Sequence, residues 1–227
     1  MNINMMKQQR RLRDIDIEGM TARWYDNNTR KSRLTEMKEY AKEASKYLYD
    51  GCSVLEVASG PGYLSIEIAK LGICNKVIGL DISKDFVEIA QRNAKEASVI
   101  EVVEFRHGNV TNIHFPDNSF DFIICTASFK NFKQPFKALN QMYRVLKSGG
   151  NALIADMNRK ASNQQIEDYI ESLEAKGIDK FFMKLIFKYL RNGAYTKDEF
   201  SGLISKTAFK QYDIKEKGMG FYIYLAK

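Results

Sequence analysis

Proline and cysteine are scarce in this chain of 227 residues, three of each, and histidine and tryptophan are scarcer still, at two and one. Pro61, Pro116 and Pro135 are too few and too scattered for a proline-rich linker, and no internal repeat or low-complexity tract accompanies them. Cys52, Cys74 and Cys125 are odd in number and scattered, which points to reduced thiols in a cytoplasm. His107 and His114 are not spaced with carboxylates or thiols as ligands, so no metal is expected. No stretch approaches the roughly 18 consecutive apolar residues of a membrane span. The polar, basic start, 1–13, does not read as a secretory leader. Disorder is excluded as well, because 44% of residues are hydrophobic and net charge is only +7.

What remains is a globular chain whose length suits one domain, or a core domain with an appended cover. Its 35 Lys and Arg against 28 Asp and Glu raise the question of nucleic acid. The basic residues are spread along the chain, which favours a lysine-rich solvated surface. The only local cluster, Arg10, Arg11 and Arg13, is short.

The dominant pattern is alternation. Leu34, Met37, Ala41, Ala44 and Leu48 recur at helical spacing until Asp50-Gly51 breaks the series. An apolar strand at 53–57 follows, then a glycine-rich turn, a helix at 63–71 and a second strand at 76–80. Ser83 is placed to cap a helix carrying Phe86, Ile89, Ala90 and Ala94 on one face. Strands return at 102–105, 120–125 and 152–155, with a helix at 136–146 before the last. Strands alternating with helices imply right-handed βαβ units and a parallel sheet, an α/β doubly wound fold. The last third changes rhythm. It predicts helices at 164–173 and 180–190, a third opened by the capping box Thr196-Lys197-Asp198-Glu199, and a closing hairpin from 209–214 and 220–225.

Chemistry concentrates in Glu56-Val57-Ala58-Ser59-Gly60-Pro61-Gly62. Small residues after a strand let the backbone approach a nucleotide closely. Asp81 ends the second strand, where a carboxylate accepts hydrogen bonds from a ribose diol. Either element alone is weak; in one strand–turn–helix–strand unit they indicate an adenosine-containing ligand. Hydride transfer with a nicotinamide is disfavoured, since Ser65 stands where that fingerprint needs Gly or Ala.

These segments, with Gly79-Leu80-Asp81-Ile82-Ser83, Gly108-Asn109-Val110, Phe115-Pro116-Asp117-Asn118-Ser119-Phe120-Asp121 and Arg144-Val145-Leu146-Lys147-Ser148-Gly149-Gly150, give the chain its family resemblance. It resembles the class I S-adenosylmethionine-dependent methyltransferases, in particular the branch with ubiquinone/menaquinone-type C-methyltransferases and small-molecule relatives. The resemblance covers about 30–156; beyond that it is to a general architecture. It implies a Rossmann-like, mostly parallel seven-stranded sheet with a C-terminal antiparallel hairpin and a helical cover. It also implies an N-terminal arm at 1–32 and a catalytic domain at 33–227, with 159–195 as the cover insertion. Glu56 and the Ala58, Ser59, Gly60, Gly62 turn would hold the methionine moiety of the cofactor, and Asp81 the ribose. Ile82 would pack on adenine, Asn109 would bond its exocyclic amine, and the Val110 amide a ring nitrogen; Thr126, after the fourth strand, completes the set. Ala58 departs from the family's first glycine, and Asn109 from its commoner Asp.

The acceptor is expected to be a small, apolar or aromatic metabolite. Thr126-Ala127-Ser128-Phe129 lacks the Pro-Pro-Tyr-like run of amino-methylating enzymes, and Cys125 reads as a buried, inert thiol. Trp24 and Tyr25 in an aromatic arm segment are candidates for substrate contact, with arm packing as their alternative. Lys130 and Asn131 would face the pocket, and Lys130-Asn131-Phe132 is similar to a segment of the quinone-precursor group. In the 180–190 helix, Lys180, Lys184 and Lys188 form a basic stripe beside Phe182 and Ile186. A substrate cover, a dimer contact, a membrane-surface helix and an ordinary core helix all fit that pattern, and the cover is preferred. Transfer by in-line displacement needs positioning and a dry pocket more than a base. If a proton must leave, Tyr25, His114 and Asp156 are candidates. An RNA methyltransferase using the basic surface and a non-catalytic cofactor-binding protein stand as alternatives.

Overall fold

A computed structural model describes residues 17–173 and 177–227. Seven strands form one sheet: β1 (Cys52–Val57), β2 (Cys74–Asp81), β3 (Val103–His107), β4 (Phe120–Thr126), β5 (Leu146–Met157), β6 (Gln211–Lys217) and β7 (Gly220–Ala226). Their order is β3-β2-β1-β4-β5-β7-β6. The first five run parallel, and β7 pairs antiparallel with both β5 and β6. The chain order reverses between β1 and β4, so the crevice at the carboxyl ends of these two strands is where an α/β sheet binds ligands.

Neighbouring residues on each central strand serve opposite layers, as a period of two requires. Val54, Val77, Ile124 and Leu153 face α1 (Gly19–Ala44), α2 (Tyr63–Ala69) and α3 (Lys84–Glu96), packing with Met37, Tyr40, Leu64, Ile68 and Ala90. Leu55, Ile78, Ile123 and Ile154 face α4 (Pro135–Val145) and α7 (Lys197–Ile204), packing with Leu139, Met142, Phe200 and Ile204. All seven residues of β4 are buried, which explains why its sequence reads as a continuous apolar run. The cover consists of α5 (Asn163–Ser172) and α6 (Gly177–Gly193).

The expected caps form: Ser83 Oγ accepts from Phe86 N at 3.0 Å, and Thr196 and Glu199 bond reciprocally at 3.2 and 3.0 Å. A second capping box, Ser162 with Gln165, opens α5; the Ser-x-x-Gln pattern that signals it was legible but not used. Three boundaries differ from expectation. Helix α1 runs unbroken through 32 and 33, so arm and domain share one helix. Strand β5 begins at Leu146, because its Lys147-Ser148-Gly149-Gly150 segment bulges between the pairs Leu146–Phe120 and Asn151–Phe122. Phe209 is a core side chain lying before β6, edge-on to Tyr143 with ring centroids 5.0 Å apart.

Candidate active site at the ends of the first and second strands

After β1 the chain turns at Ala58, with φ at +58°, then at Gly60 and Gly62, at +52° and +80°. Two backbone bonds anchor the turn to β2, from the Ala58 and Ser59 amides to the Leu80 carbonyl at 2.8 and 3.2 Å. The two glycines do different work. A Cβ at Gly62 would lie 2.4 Å from the Phe105 ring, so this glycine is needed for packing the turn on β3; one at Gly60 would meet nothing within 4 Å. The open side of the turn is therefore at Gly60. Ser59 turns inward: its Oγ is buried beside Gly79 and has no hydrogen-bond partner among the described residues.

Asp81 holds this geometry together. Its Oδ2 accepts from Gly60 N at 2.7 Å and its Oδ1 from Ser83 N at 2.9 Å. Burial pushes its carboxyl upward in pKa, against those amides and that of Ile82. The carboxylate has about four acceptor positions, so these amides leave room to accept from a hydroxyl. Glu56 is buried with both of its bonds, from Ser65 N at 2.8 Å and Ser65 Oγ at 2.5 Å, on Oε2. Its Oε1 has no hydrogen-bond partner among the described residues. Burial raises the Glu56 pKa to about 8, opposed by the Ser65 bonds. A cation placed at Oε1 would reverse that shift.

Ile82 is half-buried beside Asp81, and the Val110 amide bonds nothing among the described residues. Both suit a flat heterocycle with a ring acceptor. Asn109 is placed differently from expectation: its Oδ1 already accepts from Thr111 N and Thr111 Oγ1, each at 2.8 Å. It thus offers outward only its Nδ2 donors, so an exocyclic amine finds no free acceptor there. Thr126 closes β4 opposite Ala155, and the next residue, Ala127, takes φ of +55°, mirroring Ala58 on the adjacent strand. With backbone donors, a carboxylate acceptor and an open acceptor oxygen around one crevice, these residues fit the ribose, heterocycle and ammonium of S-adenosylmethionine.

The arm docks beside this crevice. Glu18 accepts from Lys84 N and Asp85 N at 3.0 and 3.2 Å, and Ser83 Oγ donates to the Ile17 carbonyl at 2.7 Å. Deeper, buried Asp26 accepts from Tyr63 OH at 2.5 Å, Arg92 at 2.8 Å and Asn93 at 3.3 Å. Asn93 also donates to the Pro61 carbonyl at 3.0 Å, so Asp26 ties the arm directly to the glycine-rich turn. Sequence reasoning passed over Asp26; its only signal was an acid at helical spacing beside Ala22 and Tyr25. Tyr25 packs edge-on to Phe86 with centroids 5.6 Å apart, whereas Trp24 is 62% exposed.

Further along α1, Arg33 pairs with Glu36 at 2.5 Å, and Tyr40 OH and Tyr169 OH donate to the same carboxylate at 3.1 and 3.2 Å. This cluster joins α1 to α5; Arg33, Glu36 and Tyr40 are neighbours on one helix, but Tyr169 is 133 residues from Glu36 in the chain, so no local spacing signals it.

Several acceptor-side candidates have other employment. Lys130 is buried with its ammonium 3.0 Å from Asp156 Oδ1 and also bonded to the Ala127 carbonyl, so its charge is neutralised in place. Asp156 in turn accepts from Lys130 N and Met157 N at 2.8 and 2.7 Å, which leaves it a strut and no free base. Asn131 ends the short helical turn Phe129–Asn131. His114 is exposed and bonded to Asn112 at 2.8 Å. Phe182 and Ile186 are each 54% exposed: Lys180 and Lys184 turn toward Glu171 and Glu167, at 2.8 and 2.9 Å, and rotate the apolar face to solvent. Cys125 is fully buried and its thiol is pushed well up by that burial, as an inert thiol requires. A surface groove of about 550 Å3 at the β3 edge, between Asn75 and Phe105, lies away from Glu56 and Asp81.

Comparisons with known proteins bear on the family and the fold. Demethylmenaquinone methyltransferase of Listeria welshimeri is 35% identical over 124 residues, 53% of this chain and 52% of the relative. The ubiquinone/menaquinone biosynthesis C-methyltransferase UbiE of Escherichia coli is 34% identical over 110 residues, 48% and 44% of the two chains. The chain thus spans about half the length of the curated relatives it matches. A solved structure from Methanococcus maripaludis, assigned as an S-adenosylmethionine-dependent methyltransferase, superposes with a TM-score of 0.77 at 25% identity, covering 92% of both chains. A SAM-dependent methyltransferase from Aquifex aeolicus shares the fold at 21% identity, with a TM-score of 0.66 over 90% and 95% of the chains. The family model described as a methyltransferase domain matches residues 48–214, from the approach to β1 into β6, and the chain belongs to that family.

Proposed function

We propose that the protein transfers the methyl group of S-adenosylmethionine to a small aromatic or apolar acceptor. The observation that carries this reading is the constellation of Glu56, the open turn at Gly60 and Asp81 around the β1–β4 switch point. The sulfonium of that cofactor supplies an electrophilic methyl group, so the protein need only position the acceptor and exclude water. Asp81 accepts from the ribose hydroxyls, and Glu56 Oε1 takes the ammonium. The Gly60 side of the turn lies along the cofactor chain, and the Val110 amide donates to the heterocycle. Ile17, Glu18 and Asp26 hold the arm across the opening and keep solvent out.

The acceptor lies between the arm and α5, where Arg33, Glu36, Tyr40 and Tyr169 form a hydrogen-bonded cluster and the Arg33 charge acts on Glu56. Their mixture of aromatic faces and fixed hydrogen-bonding groups suits an oxygenated ring, and the names of the menaquinone and ubiquinone relatives agree with a quinone-type acceptor. With Lys130 and Asp156 committed to each other, no free base faces this space from β5. The reading therefore rests on an acceptor already ionised or activated, such as a phenolate.

Calorimetry with S-adenosylmethionine and S-adenosylhomocysteine tests the cofactor assignment. The wild type is expected to bind both at micromolar affinity, and Asp81→Asn, which keeps the side-chain volume, to weaken binding at least tenfold. Absence of binding to either compound in the wild type defeats the assignment.

A further inference from the structure

We propose that Cys52 and Cys74 are a redox-convertible pair, a site at which a small oxidant forms a disulfide between the first two strands of the nucleotide-binding unit. The two residues are direct register partners on the parallel strands β1 and β2. Adjacent strands lie about 4.8 Å apart, inside the span of Cα separations that a disulfide accepts. Both side chains point into the same layer, the one packed by α1, α2 and α3, and their sulfurs already touch at 3.1 Å. Cys125 belongs to the opposite layer and is excluded from the exchange.

The pair sits at the starting ends of the strands, whereas Glu56 and Asp81 lie toward or at their far ends. A link there encloses the glycine-rich turn and α2 in a covalent loop without touching the crevice. Oxidation removes one hydrogen from each thiol as the sulfur–sulfur bond forms. With hydrogen peroxide as oxidant, both hydrogens leave in two molecules of water. Burial pushes the Cys74 thiol upward, so thiolate is scarce at neutral pH and the conversion is slow. By constraining the unfolded chain, the link raises thermal stability and leaves cofactor affinity unchanged.

Reduced protein is incubated with hydrogen peroxide, unfolded, alkylated and mapped by peptide mass spectrometry. The expected result is a Cys52–Cys74 linked peptide, with Cys125 alkylated, and a Tm raised by about 5–10 °C. Dithiothreitol reverses both changes, and Cys74→Ala shows neither. Peptide mapping of the wild type does not depend on the variant folding. Recovery of both thiols fully alkylated after prolonged exposure overturns the proposal. So does a link formed by Cys125, or one between chains.

Discussion

At the scale of single residues, burial pushes both carboxyls of the crevice upward in pKa, against the hydrogen bonds each accepts. Glu56 is buried with hydrogen bonds on one oxygen only, and its pKa rises to about 8. The folded chain then keeps a proton that the unfolded chain gives up near the ordinary carboxylate value of 4.5. Stability of the ligand-free protein therefore declines as pH rises from about 4.5 to about 8 and levels off above that. Glu56→Gln is expected to remove this decline, which urea titrations at several pH values read directly. Ala58 presents a different problem, a methyl-bearing residue at φ of +58°. Relief of roughly 1 kcal/mol of left-handed strain offsets the chain entropy that glycine adds, so Ala58→Gly is expected to be neutral or stabilising by up to about 1 kcal/mol. Ala58→Val, β-branched in the same conformation, is expected to cost about 2–3 kcal/mol. Thermal denaturation of the two variants checks both signs.

At the scale of elements, the cover helix shows how far periodicity reaches. The spacing of Lys180, Lys184 and Lys188 correctly gave an amphipathic helix, yet did not say which stripe faces inward. The acids Glu167 and Glu171 on α5 decide it by taking two of the lysines, and Phe187 packs edge-on to Tyr169 at 5.2 Å. Phe181, Phe182, Leu185, Ile186 and Tyr189 are left between 50% and 59% exposed. Replacing Phe182 and Ile186 together by serine is accordingly expected to shift the unfolding free energy by less than about 1 kcal/mol. A core helix would lose about 4 kcal/mol or more, and chemical denaturation separates the two outcomes. The arm behaves in the opposite manner. Its aromatic residues suggested substrate contact, but its attachment depends on polar groups, Glu18 at the start of α3 and Asp26 at the turn.

At the scale of the whole molecule, the two ends of the sheet have separate tasks. The carboxyl ends carry the crevice. The starting ends are held by Asp121, which accepts from Ser53 N at 2.8 Å and Lys147 at 2.8 Å and also bonds Tyr49 OH. Burial alone would raise the Asp121 pKa, but the Lys147, Tyr49 and Ser53 bonds hold it down to about 2. This stabilisation is complete above the ordinary value of 3.8 and is lost as pH falls through about 2. Asp121→Asn is expected to cost about 2 kcal/mol at neutral pH and almost nothing at pH ~2, a convergence that acid titration of the two proteins would reveal. Among the described residues no helix is long and apolar enough to cross a membrane.

Much of this molecule is local in its causes and was legible without coordinates. The parallel sheet follows from apolar runs separated by amphipathic helices. The crevice follows from Glu56, the glycine turn and Asp81, because a strand–turn–helix–strand unit brings its own ends together within about 30 residues. Ser83 and Thr196 cap helices through contacts only three residues away. The acceptor side was decided by tertiary structure alone. Lys130 and Asp156, 26 residues apart, neutralise each other only because β4 and β5 are neighbours. Arg33, Glu36 and Tyr169 meet only when α5 folds back onto α1, and Asp26 gains its partners only when the arm docks. Whether a charged side chain is free to do chemistry depends on what the fold places opposite it, and that pairing leaves no periodic trace in the sequence.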